Sequence, residues 1–204
     1  MRRTKAEAAK TRSKILRAAL TEFSTRGYSA TRLEFVARRA GVTRGAIYWH
    51  FPGKIGLYQA LLETYSARSD EVVAKAVAEG GSLREIVRRV MVRLLETIEK
   101  DPALRQVMEL FLFKTERTAE VQRLERRRVQ ASQALLLGIA RGLEEGVRRG
   151  ELRRDLPVMD MVRGLMGMLN GAVYLWLLDP RGSSLAATAP ALAEIYLDGI
   201  STRP

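Results

Sequence analysis

The chain has 204 residues, and its 47% hydrophobic content is ample for a folded core, which excludes a disordered basic tail. It has no cysteine and one histidine, so disulfides, thiolate metal sites and cysteine nucleophiles are excluded, and histidine-based catalysis nearly so. The net charge is +12, and residues 1–54 alone hold thirteen Lys and Arg against three Asp and Glu. Because clustered cations release counterions from DNA, this asymmetry favours DNA as a partner over a generically basic protein.

Residues that start and stop helices recur along the chain, and patterns typical of strands are almost absent. The sequence therefore predicts an all-α protein of about nine helices. Residues 1–10 are expected to form a basic, frayed arm. A first helix is predicted over about 11–26, ending at Gly27.

Residues 31–51 predict two short helices joined by a tight turn at Gly41. Thr31 and Glu34 have the spacing of a capping box at the start of the first of these helices. Thr43 is expected to cap the second. This arrangement is typical of a helix-turn-helix, whose second helix reads the major groove of DNA.

Six further helices are predicted after this motif. Their expected ranges are about 54–79, 82–100, 102–114, 118–149, 157–178 and 188–200. We therefore divide the chain into a DNA-binding domain over 1–53, a connecting helix over 54–80 and a ligand-binding and dimerisation domain over 81–204. The N-terminus lacks an apolar signal-peptide core, and the apolar run 165–178 is interrupted and short for a bilayer, so a cytoplasmic protein without membrane contact is expected.

The run GVTRGAIYWHF from Gly41 to Phe51, followed by Lys54 and Leu57, resembles the DNA-binding region of TetR-type transcriptional regulators, the tetracycline repressor family. Residues 11–58 as a whole are similar to that region, and the run from Gly41 to Phe51 is similar to the branch of multidrug-efflux repressors such as AcrR and TtgR. The resemblance implies a three-helix DNA-binding head on a helical bundle. It further implies a homodimeric repressor that binds a palindromic operator and a small effector, with no cofactor.

The residues of the second short helix suit a DNA groove. Arg44 lies at its N-terminal end and has the geometry to pair with guanine, while Gly45 lets the backbone approach a base or sugar. Thr31 and Thr43, the predicted helix caps, can offer their hydroxyls to the DNA backbone. Position on the helix and the family resemblance together give the predicted DNA contacts. These are Thr31, Thr43, Arg44, Gly45, Tyr48, Trp49, His50 and Lys54. For three of these residues a structural alternative stays open: Trp49 could pack within the protein, His50 could be an ordinary surface histidine, and Lys54 could be only a charge at a helix end. Ile47 and Phe51 are assigned to the core.

Methionines recur on the apolar faces of the later helices, which suits a promiscuous apolar pocket, although ordinary core packing is the favoured explanation for any one of them. By family resemblance the pocket is lined from the fifth to the eighth helices. The predicted lining residues are Val87, Met91, Leu94, Met108, Phe111, Leu112, Leu135, Ile139, Met166 and Asn170. Asn170 would orient a ligand or bond a neighbouring helix. The segment 111–114 (Phe-Leu-Phe-Lys) is more apolar than the efflux-repressor pattern at this place, which favours a small apolar or aromatic effector.

The last two helices are predicted to form the dimer interface, with capping of the monomer core as the alternative. The residues assigned to it are Gly164, Gly167, Gly171 and Ala172 in the eighth helix and Leu192, Ile195, Tyr196 and Ile200 in the ninth. Effector binding would shift the fifth to eighth helices, and the fourth would carry the change to the two heads. A sequence-neutral architectural DNA-binding protein is the alternative function. An enzyme is disfavoured because the chain has no cysteine, its one histidine lies in the DNA-binding head, and no carboxylate–histidine spacing suits a metal pair.

Overall fold

The computed structural model describes residues 5–202, apart from the side chains at 131 and 132. Within that range the chain forms nine α-helices and no strand beyond one bridge pair, which confirms the predicted all-α class. The helices are α1 (Lys5–Arg26), α2 (Leu33–Ala40), α3 (Arg44–His50), α4 (Gly53–Ala78), α5 (Leu83–Lys100), α6 (Pro102–Phe113), α7 (Ala119–Arg148), α8 (Val158–Leu178) and α9 (Leu185–Ile200).

Two predicted helix starts are wrong. α1 begins at Lys5, so residues 5–10 of the expected frayed arm are helical, because this stretch is rich in the strong helix formers Ala, Lys and Glu. Residues 1–4 of that arm lie outside the described residues. α9 begins at Leu185 and not at 188, because Ser184 caps it by accepting a hydrogen bond from the Ala187 amide at 3.1 Å.

The turn between α2 and α3 forms as the sequence predicts. Gly41 has φ +65°, a left-handed conformation that glycine adopts without steric cost. Its amide and that of Val42 donate to the last carbonyls of α2, at 3.2 and 3.0 Å. Thr43 then caps α3, since its hydroxyl accepts from the Ala46 amide at 3.2 Å. The helix-turn-helix is confirmed.

The predicted capping box at the start of α2 is wrong. The N-cap residue is Arg32, whose side chain makes no capping bond. The Thr31 side chain is buried, and its hydroxyl lies 3.1 Å from the Glu22 carbonyl and 2.7 Å from the Gly27 carbonyl. The Thr31 hydroxyl therefore bonds carbonyls at the end of α1 and does not cap α2. The Glu34 carboxylate, which the capping box would have used, has a different partner.

The chain divides into two compact units, which differ from the three domains expected from the sequence. The N-terminal unit holds residues 5–67 together with 103–125, so it includes α6 and the first turns of α7. Its core surrounds three rings: Phe23 lies 5.7 Å from Tyr28 and 6.4 Å from Tyr58, and the two tyrosines are 5.1 Å apart. Burial of such aromatic side chains is a large part of what stabilises a small unit.

The second unit holds residues 68–102 and 126–202, and its core forms where α5, α8 and α9 pack together. The predicted capping box of α5 is confirmed, because Ser82 and Glu85 bond each other's backbone amides. Arg84 and Arg88 of α5 both form ion pairs with Glu194 of α9. The apolar stripe and these polar contacts together fix α5 against α9.

α8 is the helix in the described part of the chain that is long and apolar enough, by length and composition, to cross a membrane. It has 21 residues, longer than the apolar run considered in the sequence, and its mean hydropathy is 1.3 over the most apolar window. A core helix of a soluble protein meets the same test, and Val162, Leu165 and Trp176 of α8 are buried in this unit.

Glu22 is a buried carboxylate that connects α1 to α2. Its residue is 4% exposed, and it accepts from Nε of Arg39 at 2.6 Å and from Nε of Arg26 at 2.9 Å. The hydrogen bond from Arg39 is the main reason that the pKa of Glu22 lies below its usual value, while burial acts in the opposite direction. The pair with Arg39 therefore joins α1 to α2, whereas the pair with Arg26 lies within α1.

We predict that Glu22→Gln lowers the free energy of unfolding by about 1–2 kcal/mol at pH 7, because two half-exposed guanidinium groups lose their charged partner. Since the pKa of this carboxyl is lower in the folded state than the unfolded value of about 4.3, its contribution is present above that pH and is lost as pH falls through the folded-state pKa. Urea unfolding at pH 7 and at pH 3 measures the difference between variant and parent, which should shrink at pH 3.

The control is Glu71→Gln, which removes the same charge from an exposed pair with Lys75 on α4 and should leave the unfolding midpoint unchanged. An equal loss for Glu22→Gln at both pH values would contradict the ionic origin of the effect.

Candidate DNA-binding surface

α3 has seven residues, too few for a helix to be stable by itself in water, so its position depends on packing. Ile47 is fully buried and Phe51, which follows the helix, is 3% exposed, as the sequence analysis expected for both. The opposite face points outward and carries Arg44, Tyr48 and Trp49. One face of α3 is therefore anchored in the core and the other is available to a partner.

Arg44 stands at the first position of α3 and its guanidinium is held at two points. Nη1 donates to the Glu34 carboxylate of α2 at 2.7 Å, and Nη2 donates to the Tyr48 hydroxyl at 3.0 Å. The side chain also lies over the Tyr48 ring, 5.4 Å from its centroid. At Gly45 a Cβ atom would meet only the Thr43 hydroxyl, at 3.8 Å, so the backbone there is open to close approach.

The C-terminal end of α3 presents an aromatic pair. Trp49 is 72% exposed, so the structure does not support the alternative that it packs within this chain. Its ring stands perpendicular to the His50 ring at 4.4 Å, and His50 in turn lies 6.1 Å from the Phe51 ring. The core residue Phe51 thereby supports a surface ring that is large, planar and accessible to DNA.

Lys54, which was predicted to contact a phosphate, binds backbone carbonyls of the loop before α2. Its Nζ donates to the carbonyls of Tyr28 and Ser29 at 3.0 Å each and of Thr31 at 3.2 Å, which uses all three N–H groups. Burial lowers the pKa of Lys54 from its usual value, against the effect of two nearby carboxylates. Thr31 is buried, whereas Lys54 is half-buried, and both side chains bind backbone carbonyls of this chain.

The loop over 28–31 is also bound by residues near the start of α7, an arrangement that the sequence analysis missed. The Tyr28 amide donates to the Lys114 carbonyl at 2.9 Å, and its buried hydroxyl donates to Glu120 at 3.1 Å. The Ser29 amide donates to Glu116 at 3.0 Å. Burial, with Glu120, raises the pKa of Tyr28, and hydrogen bonds from its own amide and from Ser29 lower the pKa of Glu116. These partners are about ninety residues apart, and no local sequence signal joins them.

The ten residues predicted to line an effector pocket are divided between the two units. In the N-terminal unit, Met108 is buried, Phe111 is partly buried against the core and Leu112 is exposed. In the second unit the structure brings four of them into one core, namely Val87, Met91, Ile139 and Met166. Leu94 is partly buried, and Leu135 and Asn170 are exposed.

The structure gives no support for either role considered for Asn170. Its amide donates to the Met166 carbonyl of the same helix at 2.8 Å. It is exposed, so it neither bonds a neighbouring helix of the described chain nor points into a closed cavity. The side-chain amide of Asn170 therefore makes a hydrogen bond within α8.

A groove of about 410 Å³ opens in the second unit between α8 and the start of α9. Its lining is Gly167, Met168, Gly171, Ala172, Leu175, Trp176, Ser183, Ser184, Leu185, Thr188 and Leu192. None of the ten predicted effector residues lines it. It carries instead four of the residues predicted for the dimer interface: Gly167, Gly171, Ala172 and Leu192.

Large apolar side chains stand exposed on these same two helices. On α8, Tyr174 is 43%, Leu175 67% and Leu178 60% exposed, and on α9 Ile195 is 62% exposed. We call these four residues the α8–α9 apolar face. Tyr196 and Ile200, also predicted for the dimer interface, are buried in the core of the second unit, which corrects that prediction. The apolar residues predicted to form one stripe on α9 therefore lie on two sides of the helix: Tyr196 and Ile200 face the core, and Ile195 faces solvent.

Comparison with known proteins relates both parts of the chain to transcription regulators. Residues 15–61 match the family model described as bacterial regulatory proteins, tetR family, and residues 83–202 match the C-terminal region of MAATS-type transcriptional repressors. The chain is 32% identical over 206 residues to the probable HTH-type transcriptional regulator ArpR of Pseudomonas putida, covering 100% of this chain and 98% of that protein. It is 31% identical over 205 residues, with the same coverage, to the HTH-type transcriptional regulator TtgR of the same species.

The fold is similar to a solved structure over nearly its whole length. The crystal structure of NalD, described as the secondary repressor of the MexAB-OprM multidrug efflux pump in Pseudomonas aeruginosa, matches with a TM-score of 0.85 and 26% identity. The match covers 98% of this chain and 100% of that one.

We predict that Lys54→Met lowers the free energy of unfolding by about 1–3 kcal/mol, because the carbonyls of the 28–31 loop lose a charged donor while the aliphatic stem is kept. Thermal unfolding measures the loss, and hydrogen exchange should show faster exchange of the amides at 28–31. Lys75→Met, at an exposed lysine on the same helix, is the control and should change neither. Unchanged stability, combined with weaker binding to every DNA sequence alike, would restore the phosphate role and contradict the structural one.

Proposed function

This chain belongs to the TetR family of bacterial regulatory proteins, and we propose that it is a homodimeric, effector-responsive repressor that binds a palindromic operator. It is a transcription regulator and not an enzyme. The observation that carries the proposal is the outward face of α3, which presents Arg44 and Tyr48 from a helix-turn-helix. This motif lies within residues 1–54, where nearly all the excess positive charge of the chain is concentrated.

On this proposal Arg44 reads a base and its neighbours position it. An arginine at the N-terminal end of a recognition helix suits bidentate pairing with guanine N7 and O6. The open backbone at Gly45 permits close approach to the same base or its sugar. Thr43, Tyr48, Trp49 and His50 would contact phosphates, sugars or a thymine methyl group, and fix the register of the helix on the duplex.

The α8–α9 apolar face supports a dimer. Four large apolar side chains exposed on two adjacent helices form the kind of patch that a monomer rarely leaves open to water. Beside them, Gly167 and Gly171 line a groove into which side chains of a second copy would fit. A two-fold pair of such helices would form a four-helix interface, and it would place two copies of α3 on two half-sites.

We propose a small apolar or aromatic effector whose binding releases the operator. The proposal rests on the apolar character of the predicted lining residues, of which Val87, Met91, Ile139 and Met166 share one core. By analogy with NalD, described as a repressor of a multidrug efflux pump, the regulated operon would encode such a pump. Because bacterial operator DNA lies in the cytoplasm, the protein would act there.

The contacts of the 28–31 loop suggest how an effector would reach the DNA-binding head. This loop connects α1 to α2 and is bound to Lys114, Glu116 and Glu120 within the N-terminal unit. α7 starts among these contacts, at Ala119, and continues to Arg148 in the second unit. We propose that a displacement of α7 changes these bonds and so adds to the displacement carried by α4. The effector must bind one dimer geometry better than the other, because equal affinity would shift nothing.

We predict that Arg44→Ala weakens binding to the operator by about 1–3 kcal/mol and relaxes the base preference at one position in each half-site. Fluorescence anisotropy on the operator and on a scrambled duplex, at several salt concentrations, measures both effects. Arg163→Ala removes the same charge from an exposed pair on α8 and should leave the ratio of the two affinities unchanged. Equal losses on both duplexes for Arg44→Ala would show that Arg44 contacts only phosphates.

We predict that Leu175→Glu converts the dimer into a monomer, because it places a charge in the centre of the α8–α9 apolar face, where it would be buried without a partner. Sedimentation velocity at micromolar concentration measures the oligomeric state. Val129→Glu, at a residue of α7 that is 65% exposed, is the matched control and should remain dimeric. A Leu175→Glu variant that sediments as a dimer would place the interface on another surface.

A further inference from the structure

Glu34 is an acidic residue beside the DNA-reading helix, and the DNA-contact assignment leaves it without a role. It is one of three acidic residues in 1–54, and Glu22, another of them, is buried between two arginines. Glu34 makes no capping bond at α2. Its Oε1 instead accepts from Nη1 of Arg44, at 2.7 Å, and its side chain is 49% exposed.

The ion pair with Arg44 is too exposed to matter for folding. The Arg44 side chain is 57% exposed, and pairs of this kind add little to the stability of a protein. The contact bears instead on the position of the Arg44 guanidinium. Glu34 and the Tyr48 hydroxyl bind the two terminal nitrogens of the guanidinium, which restricts a long, flexible side chain to one position above α3. A side chain that is already ordered loses less entropy when it binds.

The charge of Glu34 also acts on the DNA. Its carboxylate repels phosphates, and Arg44 compensates it as long as the two remain paired. If Arg44 turned to a phosphate on a duplex without the correct base, Glu34 would be left as an uncompensated anion next to the DNA backbone. Like-charge juxtaposition of this kind is a common way in which an interface rejects the wrong partner.

We propose that Glu34 is a specificity-determining residue, which holds Arg44 in its base-reading position and disfavours complexes in which Arg44 binds phosphate instead. The inference rests on the proposed operator-binding function and adds to it the residue that separates operator from bulk DNA. Glu34 acts through Arg44 and is a positioning residue, since it is not itself expected to touch a base.

The test is Glu34→Gln, which keeps the size of the side chain and removes its charge. Anisotropy titrations would use the full-length protein, an operator selected with the parent protein and a scrambled duplex of equal length. We expect affinity for the scrambled duplex to rise about three- to fivefold, in line with an exposed ion pair, and operator affinity to change less. Because Arg44 becomes free to bind a phosphate, the salt slope on the scrambled duplex should steepen by about 0.9.

Two controls separate positioning from a general charge effect. Glu71→Gln removes the same charge from an exposed ion pair of α4 and should leave the operator-to-scrambled ratio unchanged. In an Arg44→Ala background, Glu34→Gln should no longer change that ratio. Thermal unfolding of each variant should match that of the parent, which confirms that the fold is intact.

The outcomes distinguish this inference from the function it rests on. If the parent protein shows no preference for the operator, the proposed function fails and the role of Glu34 fails with it. If the parent shows a preference and Glu34→Gln keeps the same ratio, only the role of Glu34 is overturned. If Glu34→Gln lowers the ratio equally with and without Arg44, the carboxylate acts on DNA directly and the positioning role is overturned.

Discussion

The burial of one face of α3 is the constraint on which the rest of the molecule depends. A helix of seven residues does not fold alone, so the position of the residues proposed to contact DNA is set by Ile47 and by Phe51 just beyond the helix end. Thr43 satisfies an amide at the first turn, and Gly41 sets the angle at which the helix leaves α2. With the apolar side fixed in this way, Arg44, Tyr48 and Trp49 are held outward on a rigid support.

The same core connects the DNA-binding surface to the rest of the chain. Tyr28 belongs to the aromatic cluster of the N-terminal unit, and its backbone and hydroxyl also bind residues near the start of α7. Lys54 also donates three hydrogen bonds to backbone carbonyls of the loop over 28–31. Hydrogen bonds from two separate parts of the sequence therefore hold this loop in place.

The sequence alone predicted the elements with local signals and failed where the determining contact is distant. Thr43, Gly41 and the start of α5 were predictable because their partners lie within four residues. Thr31 matched a local pattern, yet carbonyls at the end of α1 take its hydroxyl. Residues of α9 such as Ile195 and Tyr196 have the same apolar character, and only the packing of α5 and α8 determines which of them faces inward. An effector pocket depends on such packing at every position, and so it stays a prediction.

The most direct test of the account is a selection of genomic DNA fragments on the full-length, effector-free protein at physiological salt. Both a base-reading α3 and a two-fold assembly must be present for a symmetric site to emerge. The account predicts an enriched motif with two inverted half-sites, whose centres lie about 10 base pairs or a multiple of that apart. Recovery of fragments without a shared motif, by a protein that binds them all with equal affinity, would contradict it.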